Sequence, residues 1–86
     1  MRRDAEFFSE PELHLLYMAK RLREALKLER LLTDAGIDYV VETGTYSGGL
    51  LIKRDLTGAF FYVAPLDVAS AHDVMRRNRY KPYEAE

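Results

Sequence analysis

Eighty-six residues carrying a formal net charge of −1 make one small domain with no room for a second core. Hydrophobic residues at 48 % beside 31 % charged ones exclude a disordered chain, and the near-neutral balance gives no overall pull toward nucleic acid or anionic membrane. The lack of cysteine excludes a disulfide framework, a thiolate zinc site and a cysteine nucleophile. No apolar run reaches the roughly 18–20 residues of a bilayer span. MRRDAEFF has two arginines but no apolar h-region, so it does not read as a secretory signal, and the expected location is cytoplasmic.

In chain order, residues 1–8 read as a flexible arm, although Phe7 and Phe8 are costly to leave in water. Ser9-Glu10-Pro11-Glu12 matches a capping box, with Ser9 at N-cap, Glu12 at N3 and a Phe8–Leu13 staple. The following stretch carries a conflict. Residues 10–35 hold a single β-branched residue, Thr33, so propensity alone permits one long helix. Residues 13–19, LHLLYMA, are nearly continuous apolar sequence that would coat such a helix all round, whereas a strand buried on both faces suits the run. The reading is therefore one helical turn at 9–12, a strand over 13–19 and a turn through 20–22. Strict alternation puts Leu15 and Tyr17 on one face, and His14, Leu16 and Met18 on the other.

From Arg23 the period is helical: Ala25, Leu28, Leu32 and Ala35 recur at steps of three and four, Leu31 widens the stripe, and Arg23, Lys27 and Arg30 face away. Gly36 stands where a left-handed residue is needed, and Ile37 is then placed to close a Schellman contact onto Leu32. The period next switches to two, with Ile37, Tyr39, Val41 and Thr43 opposite Asp38, Val40 and Glu42. Residues 44–49 read as a loop by composition, 50–53 as a short strand or ledge, and 54–58 as a turn. AFFYVA at 59–64 is the clearest strand, ended by Pro65. Asp67 is the N-cap candidate of a second helix running to about Arg77, with Val68, Ala71, Val74 and Met75 inward. Arg76, Arg77 and Arg79 complement its C-terminal dipole, Asn78 is placed for a left-handed exit, and residues 82–86 form a tail.

The order β-α-β-β-α over a single domain at 9–81 predicts an α+β, ferredoxin-like sandwich: a small mixed sheet with two helices on one face. The run Leu22-Arg23-Glu24-Ala25 leading to Leu31-Leu32, then Ala35-Gly36-Ile37, and later Tyr62-Val63-Ala64-Pro65-Leu66-Asp67, resembles bacterial signal-transducing domains of unassigned function related to the nitrogen-regulatory PII proteins. The resemblance spans roughly residues 13–80 and implies a ferredoxin-like fold and a role in signal transduction. PII proteins proper bind nucleotide and carry a long loop between strands two and three. The segment from Gly44 to Gly58 is much shorter and shows no phosphate-cradling motif, so nucleotide binding does not carry over.

Gly44-x-x-x-Gly48-Gly49 is neither a dinucleotide fingerprint nor a P-loop. Hydroxyls at Thr43, Thr45 and Ser47 leave room for a small-ligand site, for which Lys20, Thr43 and Ser47 are the candidate residues. His14 and His72 lack convergent third and fourth ligands and read as structural, so no metal and no cofactor is expected. No nucleophile, base and oxyanion set is legible, which argues against an enzyme. Arg76, Arg77, Arg79 and Lys81, with Tyr80 and Tyr83 interleaved, form a candidate partner surface, and Lys20, Arg21 and Arg23 form a second basic cluster. A dipole-matched helix end explains the first better than nucleic acid does, so single-stranded nucleic-acid binding ranks last.

The strands carry apolar side chains on both faces, Phe60 and Tyr62 against Phe61 and Val63, whereas one helix layer covers one face. A second copy, the Phe7–Phe8 arm or a protein client must cover the other. These readings converge on a non-enzymatic regulatory or protein-interaction module, homodimeric through its sheet. The alternative is a small-ligand sensor with its pocket near the dimer seam.

Overall fold

The helix–glycine–strand corner anchors the observed architecture. In the computed structural model, which describes residues 1–8, 12–48 and 54–83 (45–48 and 54–57 by their backbone), five elements follow one another: β1 (His14–Ala19), α1 (Leu22–Asp34), β2 (Val40–Gly48), β3 (Arg54–Val63) and α2 (Val68–Arg77). Helix α1 stops at Ala35, and Gly36 takes φ 75°. The Gly36 amide donates to the Thr33 carbonyl and the Ile37 amide to that of Leu32, both at 3.0 Å. This is the full Schellman pattern, with Leu32 and Ile37 both buried.

The apolar run at 13–19 is a strand, because the sheet buries residues on both of its faces. The capping box and its turn at 9–12 lie outside the described residues, apart from Glu12. The expected mixed sheet is corrected: the strand order is β1-β3-β2, and each neighbouring pair is antiparallel. Strands β1 and β2 do run in the same direction across α1, but β3 lies between them. A strand with Phe60, Phe61, Tyr62 and Val63 has side chains to bury on both faces, which favours the centre of the sheet.

A second correction concerns the ribbon. Residues 44–48, read as loop, and 54–58, read as turn, are strand residues paired in register from Gly44↔Gly58 to Gly48↔Arg54. Their Gly, Ser, Thr and Asp content resembles a loop, yet each strand satisfies the other's backbone groups. A Cβ on Gly44 would stand 3.2 Å from the Phe60 ring, so the ring covers the backbone there. Strand β1 reaches only as far as Ala19↔Ala59, so among the described residues the β2–β3 ribbon continues without a third strand. The ledge expected at 50–53 lies outside the described residues.

Strict alternation in β1 also fails. The register slips between Leu15 and Tyr17, a β-bulge that leaves Leu16 and Tyr17 together opposite Phe61. Leu16 and Tyr17 both join the helix-side core, and Met18 pairs instead with Phe60 on the far face. That core gathers Ala25, Leu28 and Leu32 of α1, Ala71 and Met75 of α2, and Phe61 and Val63 of β3 into one cluster, so both helices cover the same face.

At α2 two local readings change. Asp67 makes no side-chain capping bond, because residues 65–67 form a 3-10 turn that delivers Asp67 in helical conformation. Asn78 leaves at φ −109°, and the left-handed residue is Arg79 at φ 66°. Asn78 instead spends its side-chain amide on the Val74 carbonyl at 2.8 Å.

The first residues are tied to the sheet edge. Arg2 bridges Tyr39 in parallel, and the Arg3 amide donates to the Tyr39 carbonyl at 2.7 Å. Val40, on the face away from the helices, is buried although it stands apart from the main core. Leu15, Met18, Phe60 and Tyr62 on that face are each half-buried. Among the described residues no helix is long and apolar enough to cross a membrane.

Candidate functional site

The chain direction fixes where the polar residues gather. Strand β1 ends at Ala19, where the ribbon leaves the body, and α1 starts there with Lys20 and Arg21 in the turn before it. Helix α2 starts at the opposite end, after Val63, and runs back toward the same place. Its exit is fastened to the start of α1: the Tyr80 hydroxyl donates to the Glu24 carbonyl at 2.9 Å, and the Tyr17 and Tyr80 rings meet edge to face with centroids 5.2 Å apart. Lys27 Nζ lies 5.9 Å from the Tyr80 ring centroid.

The basic clusters at 20–23 and 76–81, more than fifty positions apart in sequence, therefore share one end of the molecule. Lys20, Arg21 and Arg23 line a cleft of about 780 Å³ together with Glu24. Acidic groups there are engaged. Glu24 Oε2 accepts the Tyr17 hydroxyl at 2.9 Å, and Asp73 pairs with Arg77 at 2.9 Å. Burial, the hydrogen bond to Glu24 and the charge of Glu24 push the Tyr17 phenol up to about 12. Burial, then the charge of Glu24, also raise that of Tyr80.

Of the ligand candidates, Lys20 and Thr43 do meet, lining a cleft with Arg21 and Gly58 of about 170 Å³. That falls below the roughly 300 Å³ at which small-molecule pockets begin. Ser47 lies four residues further along β2, about 13 Å away at the rise of a strand, with its backbone opposite Asp55. The structure thus joins two of the three and separates the other. Arg77, Arg79 and Lys81 are exposed, as is Arg76.

The two histidines, read separately in the sequence, line one cleft of about 630 Å³ with Glu12 and Tyr83. Nothing in their spacing announces this, since His14 is on a strand and His72 on a helix. Neither ring hydrogen-bonds another described residue. Among the described residues no three carboxylate or imidazole groups are grouped to hold a metal. No family model, curated protein or solved structure matches this chain.

Proposed function

We propose that this chain is a non-enzymatic regulatory or protein-interaction module that pairs with a second copy through the face of its sheet opposite the helices. The observation that carries the reading is that face itself: Leu15, Met18, Phe60 and Tyr62, from neighbouring strands, are only partly buried while both helices lie on the other side. A small domain gains stability from burying such a surface, and a two-fold mate is the simplest cover. Converging hydroxyls elsewhere hold structure in place: Tyr39 donates to the Glu29 carbonyl and shares a 3.0 Å bond with Thr33, much as Tyr17 and Tyr80 are held at Glu24.

The finer fold reading belongs to the same proposal. Among the described residues, order β1-β3-β2 under two helices follows the ferredoxin-like plan short of a fourth strand. The Tyr83 amide donates to the Leu16 carbonyl at 2.9 Å, on the outer edge of β1 where that strand would lie. A PII-like ancestry and a part in signal transduction rest on the resemblance in sequence together with this plan.

Sedimentation equilibrium tests the reading. A 10.0 kDa chain is expected to sediment at twice that mass at micromolar concentration. Met18→Glu is expected to return it to the single-chain mass with its fold intact. A folded wild-type monomer under the same conditions overturns the proposal, and a thermal-shift screen of nucleotides and oxo-acids then tests the ligand-sensor alternative.

A further inference from the structure

We infer that the outer crest of α1, with the apolar notch beside its first turn, docks an acidic amphipathic helix of another protein. This partner site lies on the helix side of the sheet, so it is separate from the face through which two copies pair.

Three observations carry it. First, α1 buries Ala25, Leu28 and Leu32 but leaves Leu22 74 % and Leu26 55 % exposed. Four positions apart, these two leucines stand one above the other and form a ridge of the kind that packs into the groove of a second helix. Their mutual contact on a bare helix is too weak to explain leaving both in water. Second, Leu22 overhangs the notch of about 170 Å³ walled by Ala19, Ala25, Gly58 and Ala59, with Thr43 at its rim. That is too small for a typical small molecule, but a cavity of about 150 Å³ admits benzene, so the notch takes one bulky apolar side chain. Anchors spaced by three or four residues on an amphipathic helix are the way such a ridge and notch are read.

Third, charge selects the occupant. Arg23 and Arg30 are exposed on the same crest, and among the described residues neither has a hydrogen-bond or ion-pair partner. Lys20 at the notch is already engaged. The carboxylates of α1 are turned to other tasks: Glu24 accepts the Tyr17 hydroxyl on the flank toward α2, and Glu29 pairs with Arg2 on the opposite flank. Asp34 ends the helix, about 18 Å from Leu22 at a helix's rise and beyond the screening length of about 8 Å. A second copy docked here would meet a crest of its own sign, which disfavours self-pairing. An acidic helix complements the arginines while its apolar face covers the leucines.

The test is selection of a random library of peptides about 16 residues long, roughly four helical turns, on the immobilised full chain. Enriched peptides are expected to carry Leu, Ile or Phe at spacings of three and four among Asp and Glu. A labelled winner is then titrated by fluorescence anisotropy, with micromolar affinity expected. Leu22→Gln with Leu26→Gln keeps helix propensity and changes only exposed side chains, so the unfolding midpoint should hold while affinity falls at least about tenfold. Arg23→Glu with Arg30→Glu should weaken the same peptide and favour a version with Lys in place of its acidic residues. Met18→Glu, on the opposite sheet face, should leave affinity within about twofold. The inference is overturned by no enrichment, by winners without acidic residues, by unaltered affinity in the leucine variant, or by loss of the double mass in that variant, which would make the crest a self-interface. A winner released by Met18→Glu and not by the leucine variant binds the sheet face and also overturns it.

Discussion

The two helices leave by the same hydrogen-bond pattern and with opposite residue chemistry. At the end of α1 the amides of Gly36 and Ile37 bond back to Thr33 and Leu32; at the end of α2 those of Arg79 and Tyr80 bond back to Arg76 and Met75. In both, an apolar residue closes over a buried core residue. The left-handed position is Gly36 at φ 75° in one and Arg79 at φ 66° in the other. A glycine adopts that conformation without steric cost, whereas a residue with a Cβ gives up about 1–2 kcal/mol. The second exit holds Arg79, an exposed residue with a Cβ, in that conformation.

Three experiments probe this contrast. The largest effect is expected from the buried residues that both exits lean on. Leu32→Ala and Met75→Ala should each cost about 2–5 kcal/mol in urea unfolding, since both side chains are fully buried. If the Met75 variant costs much less than the Leu32 variant, the α2 exit is the looser of the two.

The second experiment exchanges the left-handed residues and predicts opposite signs. Gly36→Ala should destabilise by about 1–2 kcal/mol through backbone strain alone, because no heavy atom lies within 4 Å of the added Cβ. Arg79→Gly should stabilise by about 0.5–1 kcal/mol, the relief of strain less the added freedom of the unfolded chain. Two changes of the same sign would break the parallel between the corners.

The smallest effect is invisible at neutral pH. The Tyr17 phenol is pushed up to about 12 from its usual 10, and Tyr39 and Tyr80 are raised as well, burial first in each case. The unfolded chain therefore loses these protons first as pH rises. Stability is full below pH 10 and declines between about pH 10 and 12. Urea midpoints measured across that range should fall, and Tyr17→Phe should flatten the fall. A midpoint independent of pH up to 12 would show that the burial of Tyr17, and with it the bond to Glu24, does not persist in solution.

Where sequence reading succeeded, the signal was local. Gly36 behind the stripe of Leu28 and Leu32 announces a helix stop, and the nearly continuous apolar run at 13–19 favours a strand over a helix by leaving no polar face. Where it failed, the deciding partner was remote. Residues 44–48 and 54–58 look like loops until each is set against the other. The bulge at Leu16 depends on the spacing of Phe61 across the ladder, and the left-handed turn moved from Asn78 to Arg79 because Tyr80 must reach Glu24. The grouping of Lys20 with Thr43 was legible, whereas the meeting of His14 with His72 was equally out of view.

From its sequence alone this chain determines its two helices, the body of its three strands, their order and the α1 corner, because those follow from periodicity and conformational preference within a few residues. Only tertiary structure decided that β3 enters between β1 and β2, and that two basic clusters far apart in the chain share one end of the molecule. Strand order and surface charge depend on which distant segments exclude water together, and no short window of residues contains that information.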